Sequence, residues 1–140
     1  MADTNITPEQ ARAEWAAALR SGEYKQGTGL LHKIMLIFEP EGDTREEEQH
    51  CCLGVACDIA VKHGVIEPPQ FDGLAKAWCY ADDLEATNTH LPRKVAQFFG
   101  VAQSPVRKSD HAPLTDLNDI GTSFDEIADA IEQDDLTMLD

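Results

Sequence analysis

The sequence is short of positive charge. Only 11 of its 140 residues are Lys or Arg, against 26 Asp and Glu, so the formal net charge is −15. A surface of this sign repels phosphate backbones, and we therefore expect no direct nucleic-acid binding. It attracts basic surfaces and speeds encounters with them. The charge thus favours a partner protein with a basic surface, or it only keeps a small protein soluble.

The sequence also lacks the patterns of membrane and secreted proteins. No apolar run approaches the roughly 18 residues that a membrane-spanning helix needs. The opening MADTNITPEQ is polar and acidic, whereas a signal peptide is basic and then apolar. We therefore expect a cytoplasmic protein, without membrane contact, in which the four cysteines are reduced thiols.

Common catalytic and metal-binding motifs are absent as well. The sequence has no C-x-x-C, H-E-x-x-H, G-x-S-x-G or Walker-type pattern, and no two of its five histidines stand three or four residues apart. A zinc site would have to be assembled from scattered residues. The segment from Asp116 resembles a calcium loop, but Ile127 stands where the bidentate Glu belongs. The sequence therefore predicts no metal, no cofactor and no catalytic residue, and favours a non-enzymatic protein.

Cys51 and Cys52 stand at the start of a predicted helix, and this adjacent pair is the most distinctive local feature of the sequence. A cysteine at a helix N-terminus can have a depressed pKa and act as a nucleophile. A buried thiol that serves as a small hydrophobe is the other interpretation. A cysteine-dependent enzyme is therefore kept as an alternative function.

Capping residues mark the first and the last helix. Thr7 and Gln10 form a T-x-x-Q capping box before an apolar stripe that includes Trp15. Ser123 caps a second amphipathic segment, whose stripe includes Ile127. Because both stripes must be buried, we predict that Trp15 and Ile127 belong to one core.

Strand-like composition dominates residues 23–38, which include the run LLHKIMLIF. The acidic residues 39–48 contain Pro and Gly and are predicted to form an exposed loop. Residues 49–52 are then expected to pair back antiparallel to the earlier strand. Residues 76–80 predict a short strand, and residues 81–90 a polar loop.

Two more helices complete the predicted fold. Residues 53–63 are apolar on nearly all sides, which is typical of a central helix, and residues 92–99 form a short helix that Gly100 ends. We therefore expect a single α+β domain in which about four helices pack on a small antiparallel sheet. Frayed ends are expected at 1–6 and 134–140, and exposed inserts at 39–49 and 81–90. The oligomeric state is not specified.

The negative charge is concentrated in two segments. Residues 39–48 carry six acids and one base, and residues 109–140 carry ten acids and no Lys or Arg. Carboxylates at the C-terminal end of the last helix oppose its dipole. We therefore predict a partner-binding acidic edge formed by Glu132, Asp134 and Asp135, whose neutralisation should stabilise the free protein. An acidic DNA mimic that inhibits a nucleic-acid-binding enzyme is an alternative function.

Four blocks occur in a distinctive order: WAAALRSGEYKQGTGLL, CCLGVACDIA, LPRKVAQFFGV and LTDLNDIGTSFDEIADAIE. In these blocks, above all CCLGV-x-CD and LND-x-G-x-SF-x-EIAD-x-IE, the chain resembles a family of small proteins encoded by bacteriophages, prophages and their bacterial hosts. The resemblance covers most of the chain and departs from the family at the inserts 39–49 and 81–90. It implies a phage or prophage setting and a shared fold, and it transfers no catalytic residue.

Polar residues interrupt the core-forming segments of these blocks. They are either buried hydrogen-bonding struts or the floor of a ligand pocket. The pocket candidates are Tyr24, Gln26, Asp58, Asn118 and Asp119. The leading hypothesis is a non-enzymatic phage-type accessory protein that occludes a host protein surface or sequesters a small ligand.

Overall fold

The computed structural model describes residues 6–133 and 135–137, and it confirms the α+β prediction. Five helices and seven strands occur in this part of the chain. Predicted frayed residues 1–5, 134 and 138–140 lie outside it. The elements are α1 (Pro8–Arg20), β1 (His32–Phe38), β2 (Thr44–His50), α2 (Cys52–Lys62), β3 (Gln70–Asp72), β4 (Ala77–Ala81), β5 (Ala86–Thr87), α3 (Arg93–Phe99), β6 (Val106–Arg107), β7 (Ala112–Pro113), α4 (Leu114–Asp119) and α5 (Phe124–Glu132).

The main sheet is antiparallel, with strand order β2-β1-β4-β3 and with β5 added to β4. β1 and β2 pair along their whole length, from His32 opposite His50 to Phe38 opposite Thr44. β1 meets β4 at a single position, Lys33 opposite Ala77. The far end of the β1–β2 hairpin therefore extends beyond the rest of the sheet.

The acidic segment is a strand over much of its length, so the loop predicted for residues 39–48 is wrong in extent. A tight turn holds Gly42 at φ +91°, and the Glu39 N–H donates to the Asp43 carbonyl at 2.8 Å. The chain then returns as β2, which begins at Thr44. Strand formation requires partners for the main chain rather than apolar side chains, and β1 supplies them. Most of the acids on β2 remain exposed, as expected.

Shorter strands lie between the longer elements, and β5 falls in residues 81–90, which were predicted to form a polar loop. β3, β5 and the β6–β7 ladder contain two or three residues each, too few for a periodic pattern to show. Asn118 and Asp119 are the last two residues of α4.

The predicted helices are confirmed, and their apolar faces meet in one core. Thr7 and Gln10 form the capping box of α1, and the Ser123 hydroxyl accepts from the Glu126 N–H at the start of α5. Trp15 and Ile127 are fully buried in the same core, because α1 packs against α5. Eight of the eleven residues of α2 are buried, so it is the central helix. In the described ranges, the helices are too short or too polar to cross a membrane.

Candidate functional site

A polar cleft of about 380 Å³ opens where β1, β2 and the second half of α2 meet. The strand register places His32 directly opposite His50. Because α2 follows β2 almost immediately, Asp58 and Lys62 reach the same cleft from one face of the helix. The lining residues are Glu23, Tyr24, Lys25, His32, Glu48, His50, Asp58 and Lys62.

Aromatic rings hold the two histidines in place. His32 is sandwiched between His50, at 3.8 Å between ring centroids, and Trp78, at 3.9 Å. Both pairs are stacked, with interplanar angles of 20° and 15°. Tyr24 meets His50 edge-on at 4.9 Å. Since His32 and His50 are only 6% and 7% exposed, the stack leaves their rings little room to turn.

The two imidazoles differ in hydrogen bonding. His32 has a partner at each nitrogen, with Nδ1 2.9 Å from the Tyr80 hydroxyl and Nε2 against the Glu48 carboxylate. His50 Nε2 is buried and has no hydrogen-bond partner among the described residues. Burial, and secondarily the neighbouring His32, lowers the pKa of His50 to about 4. Burial also lowers the pKa of His32, although Glu48 opposes this shift. Both rings are therefore neutral at pH 7.

A second group joins Tyr24 to α2. The Tyr24 hydroxyl donates to the Asp58 carboxylate, and Lys62 Nζ donates to the same hydroxyl at 3.2 Å. Lys62 Nζ also lies 3.4 Å from Asp58 Oδ2. Burial and the hydrogen bond to Asp58 raise the pKa of Tyr24 to about 12. Tyr24 therefore keeps its proton.

The structure divides the predicted pocket residues between two places. Tyr24 and Asp58 lie in the cleft, and their role as ligand-binding residues stays a prediction. The other three serve as hydrogen-bonding struts away from it, which was the other interpretation of these residues: Gln26, Asn118 and Asp119.

Asn118 is the centre of these struts and is fully buried. Its Nδ2 donates to the Gly27 carbonyl at 2.6 Å, and its Oδ1 accepts from the Cys52 N–H at 3.3 Å. Gln26 Nε2 donates to Asn118 Oδ1 at 3.1 Å and to the Thr122 carbonyl at 2.7 Å. The group joins the segment before β1, the start of α2 and the end of α4. It therefore supports the cleft from behind.

Sequence reasoning did not bring together His32, Glu48 and His50, whose candidate ligand atoms all lie within 4.8 Å of one another. We therefore tested whether they could hold a metal ion. An ion about 2.0–2.1 Å from an imidazole nitrogen lies near the plane of that ring, along its lone pair. The two rings are nearly parallel and stacked at 3.8 Å, so their planes do not converge on one such point. The stack therefore favours a hydrogen-bonding site over a metal centre.

The predicted acidic edge has internal partners. Arg20 of α1 forms ion pairs with Asp129 and Glu132 of α5, because the two helices pack together. Asp135 accepts hydrogen bonds from the Ser109 N–H at 3.0 Å and from its hydroxyl at 2.7 Å. The segment has no Lys or Arg of its own, and the base that pairs with its acids comes from α1, while its role in partner binding stays a prediction. Asp134 lies outside the described residues.

All four cysteines are free thiols, and the pair at the start of α2 is buried. Burial raises the pKa of Cys51 to about 11 and that of Cys52 well above its usual value. Burial also raises the pKa of Cys57. The buried position outweighs the helix N-terminus, which counts against a nucleophilic role for these thiols.

Cys79 lines a larger cavity, of about 700 Å³, beside the end of α2, β4 and the start of α3. Three of the four charged side chains on its wall, those of Asp82, Asp83 and Lys94, have partners within the protein. Asp82 accepts from three main-chain N–H groups, and Lys94 Nζ lies 3.2 Å from Asp83. These groups are satisfied, so they do not mark a ligand site.

These features define a single α+β domain with a polar cleft built on a stacked histidine pair. The chain belongs to the family described as domain of unknown function (DUF8296), whose profile matches residues 8–135. No curated protein and no solved structure matches the chain. The family description assigns no activity, and the phage or prophage setting stays a prediction.

Proposed function

We propose that the protein works by binding rather than by catalysis, and that its cleft receives a small polar ligand with one cationic and one anionic group. The observation that carries this proposal is the buried, unpartnered Nε2 of His50. A buried polar atom without a partner costs about 1–3 kcal/mol. A ligand group that pairs with this nitrogen would recover that free energy.

The charges around the cleft support a ligand of mixed charge. Lys25 contributes an ammonium group and Glu23 a carboxylate, and Lys62 and Glu48, which also contact Tyr24 and His32, add one charge of each sign. A free amino acid or a similar zwitterion can pair with both kinds of group. The volume of about 380 Å³ lies within the usual range of small-molecule sites.

The same groups are poorly suited to acid–base catalysis. A general acid or base works best when its pKa lies near the working pH. The pKa of His50 is lowered to about 4 and that of Tyr24 is raised to about 12. Both groups therefore hold one protonation state across the physiological range and can serve as fixed hydrogen-bonding groups. The proposal places this binding in the cytoplasm of a bacterial host, in a phage or prophage setting.

A DNA mimic receives less support. Such a protein needs carboxylates along a continuous face, but basic side chains interrupt both acidic segments. Arg45 pairs with Glu39 and Glu47 on the hairpin, and Arg107 pairs with Asp110. These pairs neutralise part of each negative surface.

The test combines ligand detection with a substitution that removes the unpaired nitrogen of His50. Thermal-shift and calorimetric titrations use each of the twenty free amino acids, and native mass spectrometry searches the purified protein for retained small molecules. The His50→Phe variant keeps a stacked ring but removes the unpaired nitrogen. We expect it to be more stable than the wild type without ligand and to lose ligand binding.

The matched control is His111→Phe, which changes an exposed histidine outside the cleft. We expect it to bind like the wild type. The proposal fails if no amino acid binds and no small molecule is retained, or if His50→Phe binds ligand as tightly as the wild type.

A further inference from the structure

One edge of β1 is unpaired where the hairpin extends beyond the sheet. The Ile34 N–H donates to the Lys76 carbonyl at 2.8 Å, next to the single β1–β4 position. Main-chain groups alternate in direction along an antiparallel strand, so those of Leu36 and Phe38 point to the same side as those of Ile34. On this side of β1, away from β2, no strand of the described chain pairs with Leu36 or Phe38. The edge from Leu36 to Phe38 can therefore accept another strand.

The side chains at this edge are apolar and exposed. Met35, Leu36 and Phe38 are 37%, 49% and 75% exposed. An exposed apolar edge strand is a ready template for pairing with another chain, and most proteins cover or charge such an edge. Here the charge lies on the neighbouring strand β2, and the free edge of β1 itself is uncharged.

The charge on β2 and its turn restricts the occupant. Residues 39–48 carry six acids and one base, and Glu46 stands directly opposite Leu36. A second copy of this chain would bring the same negative hairpin against the first, which opposes self-association. An extended segment rich in Lys or Arg complements the hairpin instead.

We propose that the β1 edge from Leu36 to Phe38 binds an extended basic segment of a partner protein as an added strand. Main-chain hydrogen bonds to Leu36 and Phe38 supply the pairing, as in other cases of strand addition. Side chains of the segment contact the apolar residues of β1, and its Lys or Arg residues are attracted to the acids of β2 across β1, at a distance of about two strand spacings, or about 10 Å. This site is separate from the histidine cleft and does not depend on the ligand proposed for it.

The test uses a synthetic peptide of about nine alternating Lys and Val residues, close to the length of a long strand. Two control peptides replace Lys by Glu, or carry N-methyl groups on the amides of one edge. Binding is measured by fluorescence anisotropy at about 0.05 and 0.5 M salt. We expect the Lys peptide to bind, with weaker binding at high salt, and both control peptides to lose at least about tenfold in affinity.

Three variants locate the site. Leu36→Pro removes the outward N–H, which an edge strand tolerates, and Leu36→Lys keeps that N–H but adds repulsion. Glu46→Lys removes the complementary charge. We expect each to weaken binding at least about tenfold. Glu67→Lys makes the same charge change at an exposed site outside the hairpin and should bind nearly as the wild type does.

Circular dichroism verifies that each variant is folded, and Leu36→Lys decides the outcome if Leu36→Pro is not. The proposal is overturned if the N-methylated peptide binds as well as its parent, because charge alone then explains the binding. It is also overturned if both Leu36 variants bind like the wild type. A concentration-dependent dimer that Leu36→Lys abolishes would make a second copy the occupant.

Discussion

Gly54 of α2 lies directly against the main chain of Leu31, so that a Cβ atom at position 54 would stand 1.7 Å from the Leu31 carbonyl oxygen. The same carbonyl accepts a hydrogen bond from the Cys51 N–H at 3.0 Å. The start of α2 is thereby held against the residue that precedes β1. This close approach brings Asp58 of α2 to the cleft that also contains His32 of β1.

We expect Gly54→Ala to destabilise the protein by more than about 2 kcal/mol. Alanine gains about 1 kcal/mol over glycine in a helix interior, but here its methyl group clashes with main chain that cannot rotate away. Urea unfolding measures the change. Gly73→Ala is the control, because nothing lies within 4 Å of a Cβ at that position. A Gly54→Ala midpoint equal to that of the wild type would contradict this packing.

The helices were predictable because their signals are local. The Thr7 capping box, the Ser123 cap and the Gly100 stop each depend on residues within one turn. β2 was mostly missed because its side chains are acidic, and composition was taken to indicate a loop. Its pairing depends on the turn at Gly42 and on main-chain partners in β1, which composition does not reveal.

The candidate site was only partly predictable for the same reason. Tyr24 and Asp58 attracted attention as polar residues within core-forming segments. The pairing of His32 with His50 was not predicted, because 18 positions separate them and no short motif joins them. A signal was present, since the two histidines are equally distant from a turn centred at residue 41. A hairpin around that turn would have paired them.

Asn118 should be the most sensitive polar side chain outside the cleft. We expect Asn118→Leu to cost about 2–4 kcal/mol, because it leaves the Gly27 carbonyl and the Cys52 N–H without their partner. Urea unfolding measures this loss. Gln97→Leu, on the exposed face of α3, should change stability by less than about 0.5 kcal/mol. Equal effects of the two substitutions on stability would contradict the role of Asn118 as a hydrogen-bonding strut.

Thiol reactivity should separate the cysteines by burial. Cys79 is partly exposed, whereas Cys51, Cys52 and Cys57 are buried. We expect one thiol per chain to react with an alkylating agent at neutral pH, and all four to react in denaturant. Peptide mass spectrometry identifies the modified residue, and Cys79→Ser should remove the native reaction. Fast alkylation of Cys51 or Cys52 in the folded protein would contradict this prediction and would favour the alternative function of a cysteine-dependent enzyme.

Acid should destabilise the protein through His50 before its carboxylates protonate. The pKa of His50 falls from an ordinary 6.5 to about 4 in the folded state. Between these pH values the unfolded chain binds more protons than the folded chain. The contribution of the neutral His50 to the free energy of unfolding is therefore fully present above pH 6.5 and is lost as the pH falls towards 4. The difference between the two pKa values of His50 corresponds to about 3 kcal/mol of stability. The lowered pKa of His32 acts in the same direction. Asp110, whose pKa is lowered to about 2 by Arg107, contributes only at lower pH.

Urea midpoints at several values between pH 7 and pH 4.5 measure this effect. We expect the wild type and His111→Phe to lose stability steadily across the range, because both retain the buried imidazole. His50→Phe should lose distinctly less, since its ring takes up no proton on unfolding. It should also exceed the wild type in stability by the widest margin at the acid end. If the urea midpoints of wild type and His50→Phe fall in parallel with pH, His50 is not held neutral in the folded protein. That result would contradict its proposed role as a neutral hydrogen-bonding group in the cleft.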